Sequence, residues 1–313
     1  MSRIHEALKK AEEQRAASQG GHIEAAHQVG EAIATEPGTA APAVESTPSR
    51  AASTGTPSFG SPFTFDTLLA RCAQSDWTPD QKTMLFFSAE EQVYGTEEFR
   101  TLRSRLYQMR EKQALKKLLV TSALPKEGKS FVAANLAQVM VRQHGRRALL
   151  IDADLRGARL HQALGTSATP GLAEYLLGEA DEFGIMQRGP MENLFFIPSG
   201  RTVSSPAELV ANGRLKFLLN RVEPLFDWII IDSPPAVPVS DAGLLANYCD
   251  GVLMVVRSNA TPFDIARKAR QEFRDKHLVG VVLNGIEAGS SYTQYYYNAY
   301  GRPNGKGEAQ NRV

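Results

Sequence analysis

The amino-acid sequence predicts an α/β fold, with a doubly wound and mostly parallel sheet covered by helices on both faces. Short, continuous apolar segments recur between residues 118 and 283, and helical patterns separate several of them. Strands that are buried on both faces have such continuous apolar runs, which is typical of parallel sheets between layers of helices. The predicted strands comprise residues 118–121, 148–151, 228–231, 252–256 and 279–283.

Two helices are predicted within this alternation. The first follows the strand at 118–121 and covers residues 130–143. The second covers residues 206–219, where Ser205 at the N-cap and Glu208 three residues later form the pattern of a capping box. Regular structure is expected to begin near Met84.

Composition excludes several classes of protein. The chain has 313 residues, of which 42% are hydrophobic and 22% are charged, as in soluble globular proteins with one or two domains. Because the formal net charge is only +1, bulk electrostatic binding to nucleic acid is not expected. The longest apolar runs, such as residues 251–256, are far shorter than the roughly 20 residues of a membrane-spanning helix.

The start of the chain and its cysteines indicate a cytoplasmic protein. The first residues lack the apolar core of a signal peptide. The two cysteines, Cys72 and Cys249, are far apart and have no paired spacing. This pattern fits a reducing compartment and excludes a disulfide framework and a cysteine zinc site.

The predicted domain organisation has four parts. Residues 1–18 form an amphipathic helix, residues 19–79 a disordered linker, residues 80–291 the folded domain and residues 292–313 a tyrosine-rich tail. The linker is predicted because residues 20–62 consist largely of Ala, Ser, Thr, Gly and Pro, which bury too little apolar surface to offset the entropy of ordering. The apolar stripe of the helix suits either a frayed terminus or a docking helix for a partner; it comprises Ile4, Ala7, Leu8 and Ala11.

A phosphate-binding loop is the strongest motif in the chain. Residues 123–130 read Ala-Leu-Pro-Lys-Glu-Gly-Lys-Ser and connect a predicted strand to a predicted helix. The backbone amides of such a loop and of the helix N-terminus surround an anion. Gly128 permits close approach of the backbone, Lys129 reaches the β- and γ-phosphates, and the Ser130 hydroxyl can bind Mg²⁺. Lys129 is expected to be exposed in the empty loop.

Acidic residues follow two of the predicted strands. Asp152 and Asp154, with Arg156, come directly after one strand, and Asp232 comes after another. Since ligands bind outside the carboxyl ends of parallel strands, the three carboxylates are expected to converge on the loop. Mg²⁺ prefers such oxygen ligands together with phosphates. Each acid alone would also suit a helix cap or a turn, but that explanation fits all three together less well.

These three motifs together resemble those of the bacterial tyrosine kinase family, whose P-loop catalytic domain is unrelated to eukaryotic protein kinases. They correspond to its Walker A, Walker A′ and Walker B motifs. Glu97, Arg100 and Arg103 match the Glu-x-x-Arg-x-x-Arg motif of the helix that assembles a ring of subunits in that family. The resemblance covers roughly residues 84–300. A C-terminal cluster resembles the tyrosines that the family autophosphorylates, and here comprises Tyr292, Tyr295, Tyr296, Tyr297 and Tyr300.

The resemblance implies a site that binds ATP and Mg²⁺. It implies Ser130, Asp154 and Asp232 as metal-binding residues, Lys129, Asp152 and Asp154 as catalytic residues, and Asp152 as the base or orienting group for the tyrosine hydroxyl. The residues implied in nucleotide binding are Ala123, Leu124, Pro125, Lys126, Glu127, Gly128, Lys129, Ser130 and Phe131.

The resemblance also implies a cellular role. An autokinase of this kind phosphorylates its tyrosine cluster in trans and regulates capsule or exopolysaccharide synthesis and export. The implied partners are further copies of the chain, a tyrosine phosphatase and an activating membrane protein, the polysaccharide co-polymerase or chain-length determinant. Because no transmembrane activator is recognised in this sequence, we expect the split form, which a separate membrane protein recruits to the inner face of the plasma membrane.

Two alternative functions and several structural alternatives stay open at this stage. A positioning ATPase of the Min and Par kind has a similar fold but carries a signature lysine where this chain has Leu124. An ATP-controlled scaffold without kinase activity is the other alternative, because Lys126 replaces a glycine of the family motif. The Glu97 helix face could simply be solvated, the tyrosine cluster could be core or interface, and Asn284 could contact adenine or form a turn.

Overall fold

The computed structural model describes residues 63–87 and 95–286. In this part of the chain, eight strands form one sheet with the order β1-β4-β5-β3-β6-β2-β7-β8. Neighbouring strands are parallel except for the antiparallel pair β4 and β5. The mostly parallel sheet predicted from the sequence is therefore confirmed. The strands are β1 (Ala73–Gln74), β2 (Lys117–Ser122), β3 (Ala148–Asp152), β4 (Gln187–Arg188), β5 (Leu194–Ile197), β6 (Trp228–Asp232), β7 (Gly251–Arg257) and β8 (Leu278–Asn284).

Helices connect the strands and cover both faces of the sheet. Within the described ranges none of them is long and apolar enough to span a membrane. A short 3₁₀ helix, Glu223–Leu225, precedes β6. The α-helices are α1 (Phe65–Arg71), α2 (Thr96–Arg110), α3 (Lys129–Val141), α4 (Leu160–Leu164), α5 (Leu172–Leu177), α6 (Pro206–Ala211), α7 (Arg214–Val222), α8 (Asp241–Ala246) and α9 (Phe263–Glu272).

Two apolar layers hold the helices against the sheet. Strand β6 shows why both are needed, because Trp228 and Ile230 point into one layer while Ile229 and Ile231 point into the other. Helices α2 and α3 pack in the first layer, and α1, α5, α7 and α8 pack in the second. A strand buried on both faces has no polar alternation, which explains its continuous apolar sequence.

Helix α3, which follows the phosphate loop, is buried at its centre. Its Asn135 side chain accepts a hydrogen bond from the Leu85 amide (2.8 Å) and donates one to the Thr83 carbonyl (2.8 Å). One turn later, the Gln138 side chain accepts from the Phe86 amide (3.2 Å). The side-chain amides of Asn135 and Gln138 thus satisfy backbone groups that would otherwise be buried without partners. They hold the segment before α2 against α3.

The predicted linker, residues 19–79, is wrong at its C-terminal end. Residues from 63 onward are part of the folded domain, because Leu68 of α1 is completely buried and Trp77 packs edge-on against Phe196 of the sheet. Thr64 caps α1 in a reciprocal pair of hydrogen bonds with Thr67. The physical reason is composition, since large apolar side chains become frequent after residue 62. Residues 1–62, with the predicted N-terminal helix, lie outside the described residues.

The single helix predicted for residues 206–219 is also wrong. Two helices, α6 and α7, occupy this region and are separated at Gly213, whose φ is 83°. Glycine adopts this left-handed conformation at little cost, so it ends the helical pattern. The Ser205 side chain makes no capping hydrogen bond, so the predicted capping box is absent.

Candidate active site

The phosphate loop lies at the carboxyl end of β2, near the centre of the sheet. Strand β2 pairs with β6 on one side and with β7 on the other. The chain leaves β2 at Ser122, passes through the loop and enters α3 at Lys129. Because β6 lies between β2 and β3, the crossover through α3 passes over β6 and brings the ends of all three strands to one edge.

Hydrogen bonds within the loop fix its path. The Ser122 hydroxyl donates to the Leu124 carbonyl (2.7 Å), and the Leu124 amide donates to the buried Glu127 carboxylate (2.7 Å). Gly128 has a φ of 94°, and a Cβ atom there would lie 2.0 Å from the Asn284 side-chain nitrogen. The backbone conformation therefore favours glycine at position 128, and a larger residue there would also displace the Asn284 side chain.

Lys126 occupies a position in the loop that suits glycine. Its φ is 66°, and Lys126 and Asn259 are the non-glycine residues with positive φ in the part of the chain described. The left-handed conformation costs a side-chain-bearing residue roughly 1–2 kcal/mol. The Lys126 side chain is exposed, so the lysine is accommodated sterically while its backbone keeps the conformation of a glycine.

The three acids predicted to converge on the loop are brought together. Asp152 and Asp232 pair in register at the ends of β3 and β6. The Lys129 ammonium donates to Asp154 (2.9 Å) and lies 3.5 Å from the Ser130 hydroxyl. The expectation that Lys129 is exposed is wrong, since only 13% of its side chain is exposed. The ion pair with Asp154 explains why, because it compensates the charge that burial would otherwise leave unpaired.

Burial and mutual repulsion raise the pKa values of two of these acids. Burial is the main cause for Asp152, and the charges of Asp232 and Asp154 raise its pKa further. Burial also raises the pKa of Asp232, to about 6, although the Lys129 charge and the Ser130 hydroxyl oppose the shift. Burial alone would lower the pKa of Lys129, but the three carboxylates together outweigh burial and raise it.

The loop after β3 is bonded to the helix after β6. Arg156 donates two hydrogen bonds to the buried Asp241 at the start of α8, over 2.8 and 3.0 Å. Asp154 accepts from the Gly157 amide (2.9 Å), so the same turn orients the carboxylate that binds Lys129. A bidentate pair of this kind fixes both position and orientation. Asp241 belongs to no sequence motif, so no local pattern points to this contact.

The donor set fits a nucleotide and Mg²⁺. One carboxylate oxygen of Asp232, Oδ1, is buried without a hydrogen-bond partner, as a ligand to a metal or to its water would be. No group of three His, Cys, Asp or Glu side chains that could hold a metal occurs among the described residues. Mg²⁺ needs no such group, because it usually takes one or two carboxylates together with phosphate oxygens and water.

The remaining predicted residues occupy different environments. The Phe131 ring packs against Phe99 of α2, so its side chain belongs to the core beside the loop. Arg100 forms an ion pair with Glu97 on the exposed surface of α2. Arg103 donates to the Val139 carbonyl at the end of α3 (2.9 Å). The five tyrosines of the C-terminal cluster lie outside the described residues.

A phosphate loop at the centre of a mostly parallel sheet, with acidic residues at the end of the adjacent strands, defines a P-loop nucleotide-binding domain. A family model described as an AAA domain matches residues 126–263. The described fold is similar to the kinase domain of Escherichia coli tyrosine kinase ETK, with a TM-score of 0.60 and 30% sequence identity over 63% of this chain and 77% of that one.

Curated relatives identify the family. The chain is 34% identical over 210 residues to tyrosine-protein kinase YwqD of Bacillus subtilis, which covers 66% of this chain and 88% of the relative. It is 31% identical over 207 residues to tyrosine-protein kinase wzc of Salmonella typhimurium, covering 65% of this chain but only 29% of that longer relative. The chain belongs to the family of bacterial tyrosine-protein kinases, which confirms the resemblance predicted from its motifs.

Proposed function

We propose that the protein is an ATP- and Mg²⁺-dependent autokinase that phosphorylates its C-terminal tyrosine cluster in trans and regulates capsule or exopolysaccharide synthesis. The observation that carries the proposal is the position of Lys129. Its ammonium, at the end of the phosphate loop, donates to Asp154 in the turn after β3, and the charges of Asp152 and Asp232 also act on it. Phosphoryl transfer depends mainly on positioning and on neutralising charge, and this cluster supplies both.

Each residue of the cluster has a distinct role in the proposal. The amides of residues 123–130 and the Lys129 ammonium bind the phosphates. Ser130 and Asp232 would hold Mg²⁺, with Asp154 nearby, and the ion would supply positive charge beside the phosphates. The phosphates compete with Asp154 for the Lys129 ammonium, which is already directed into the site by its ion pair.

Asp152 is proposed as the base or orienting group for the incoming tyrosine hydroxyl. Two backbone amides, those of Asp154 and Leu160, donate to its carboxylate over 3.2 and 3.3 Å and fix its orientation. Burial raises its pKa, and a carboxylate of higher pKa is a stronger base when it is ionised.

Family membership supports a proposal for the partners of this chain. Copies of this chain assemble into a ring through the α2 face that carries Glu97, Arg100 and Arg103. A polysaccharide co-polymerase recruits the chain to the cytoplasmic face of the membrane and activates it, and a tyrosine phosphatase removes the phosphates from the tyrosine cluster. The exposure of Arg100 and Glu97 supports the first of these contacts, because both side chains are accessible to a neighbouring subunit.

Mixing two variants tests the proposal directly. Full-length Lys129→Met protein offers a tyrosine cluster but no working site, and active protein truncated after Ser290 offers a site but no cluster. We expect phosphotyrosine on the Lys129→Met chain when ATP and Mg²⁺ are present. Absence of phosphotyrosine while the truncated protein still binds ATP would contradict the proposal. In the parent protein, ATP hydrolysis without phosphotyrosine would favour a positioning ATPase. ATP binding without hydrolysis and without phosphotyrosine would favour a scaffold.

A further inference from the structure

Side chains from the β7–β8 side of the sheet hold the phosphate loop from outside. The Arg257 guanidinium at the end of β7 donates to the Lys126 carbonyl (3.1 Å). The side-chain amide of Asn284, at the end of β8, donates to the Glu127 backbone carbonyl (2.9 Å). The Thr261 hydroxyl, in the turn before α9, donates to the Glu127 carboxylate. These three residues belong to neither the loop motif nor the acidic motifs.

The Glu127 carboxylate links Thr261 to the start of the loop, because it accepts hydrogen bonds from both Thr261 and Leu124. Its residue surface is only 3% exposed, and its second carboxylate oxygen accepts from the Leu124 amide (2.7 Å). The Thr261 hydroxyl also accepts from the Arg257 amide (3.1 Å). A continuous hydrogen-bonded chain therefore runs from the end of β7 through Thr261 and Glu127 to Leu124.

We propose that Thr261 is a positioning residue for nucleotide binding, acting through Glu127. By fixing the Glu127 carboxylate, its hydroxyl holds the loop amides in their phosphate-binding arrangement before ATP arrives. Preorganisation matters in this loop because Lys126 and Gly128 both have positive φ, and a loop ordered in advance loses less entropy on binding. The inference rests on the proposed ATP-binding function of the loop.

Replacing the Thr261 hydroxyl by a methyl group tests this role. In the full-length protein, Thr261→Val keeps the side-chain shape but leaves Glu127 without this donor. We expect the KM for ATP to rise about tenfold, equal to about 1.4 kcal/mol. The kcat at saturating ATP should change by less than about twofold, because the acid cluster is untouched and only loop ordering is lost. Thr261→Ser is the matched variant, since it keeps the hydroxyl and should restore most of the affinity.

A double variant tests whether Thr261 acts through Glu127. Glu127→Ala should raise the KM for ATP at least as much as Thr261→Val, and combining the two should add little. Purely additive effects would overturn the assignment, because independent sites add and coupled ones do not.

Two further measurements separate positioning from stability and from the proposed function. The unfolding midpoint of each variant, measured without nucleotide, shows whether the substitution also destabilises the fold. If Thr261→Val does not fold, Thr261→Ala is used in its place. If the parent binds ATP but Thr261→Ser and Thr261→Val have equal KM values for ATP, the positioning role is overturned and the proposed function is not. A parent protein that does not bind ATP would overturn the proposed function and this inference together.

Discussion

Asp152 and Asp232 are register partners at the carboxyl ends of neighbouring parallel strands, and both are almost completely buried. Two carboxylates in such positions repel each other and lose their hydration when both are ionised. The Lys129 ammonium opposes this repulsion, but the pKa values of both acids are still raised. The two acids therefore lower the free energy of unfolding. Catalytic sites that hold like charges together commonly have this effect.

Asp232→Asn should stabilise the protein in a pH-dependent way. The pKa of Asp232 is raised from 3.8 to about 6, so between these values the folded state holds a proton that the unfolded state has released. The stability contributed by this group is therefore present below about pH 4 and is lost as pH rises through 6. Without nucleotide and with EDTA, we expect Asp232→Asn to gain up to about 3 kcal/mol at pH 8 and almost nothing at pH 4. Chemical denaturation at both pH values measures this, and an equal gain at both would contradict it.

Lys129→Met should reduce both nucleotide binding and stability. The substitution removes the only cation paired with Asp154 among the described residues and leaves that buried carboxylate without compensation. We expect no autophosphorylation, weak ATP binding and a loss of about 3 kcal/mol at pH 8. The loss should shrink at pH 5, because Asp232, whose pKa is raised to about 6, can then be protonated and no longer needs the lysine charge. Unchanged phosphotyrosine in the variant, with the parent as control, would refute the assigned site.

Arg100→Ala and Arg103→Ala should separate assembly from folding. The Arg100 side chain forms an exposed ion pair with Glu97 on the surface of α2, so its replacement should reduce assembly with less than about 0.5 kcal/mol of lost stability. Arg103 donates to the Val139 carbonyl, so its replacement should cost about 1 kcal/mol in addition. Light scattering reports assembly, and denaturation reports stability. Identical masses of parent and both variants at every concentration would show that this face of α2 is only solvated.

Lys126→Gly should stabilise the empty loop. Glycine adopts a φ of 66° without the steric cost that a Cβ atom carries, so we expect a gain of about 1 kcal/mol in the free energy of unfolding. Lys126→Ala is the matched control, because it removes the charge and keeps the Cβ atom. Calorimetric titration with ATP separates the two properties. A loss of affinity common to both variants would show that the ammonium contacts phosphate, whereas equal stability of the two variants would contradict the conformational explanation.

Sequence patterns located the buried strands well and the tertiary contacts poorly. Strands such as β3 and β6 are apolar along their whole length because helices cover both faces, so their position follows from composition alone. The acids at their ends converge because parallel strands end at the same edge. By contrast, Thr261 contacts Glu127 across 134 residues of chain, and Asp241 contacts Arg156 across 85. Neither residue belongs to a motif or a periodic pattern, so no local signal could reveal these contacts.

Errors in the predicted boundaries have local physical causes. Gly213 interrupts an apolar pattern that otherwise suits one long helix, and its left-handed conformation was not evident from the residue type alone. Helix α1 and strand β1 are too short to show a reliable period, so residues 65–74 resembled the end of the linker. Their place in the structure depends on packing, with Leu68 enclosed by the core and β1 paired with β4.

Packing of residues 63–79 determines where a shortened protein can begin. A fragment that started at residue 80 would lose Leu68 from one apolar layer and Trp77 from the other. It would also expose the outer edge of β4, which β1 now covers. Unpaired edges and uncovered apolar surface promote association between chains. A trimmed version intended for crystallisation or calorimetry should therefore keep the chain from residue 63, although the phosphate loop begins only at residue 123.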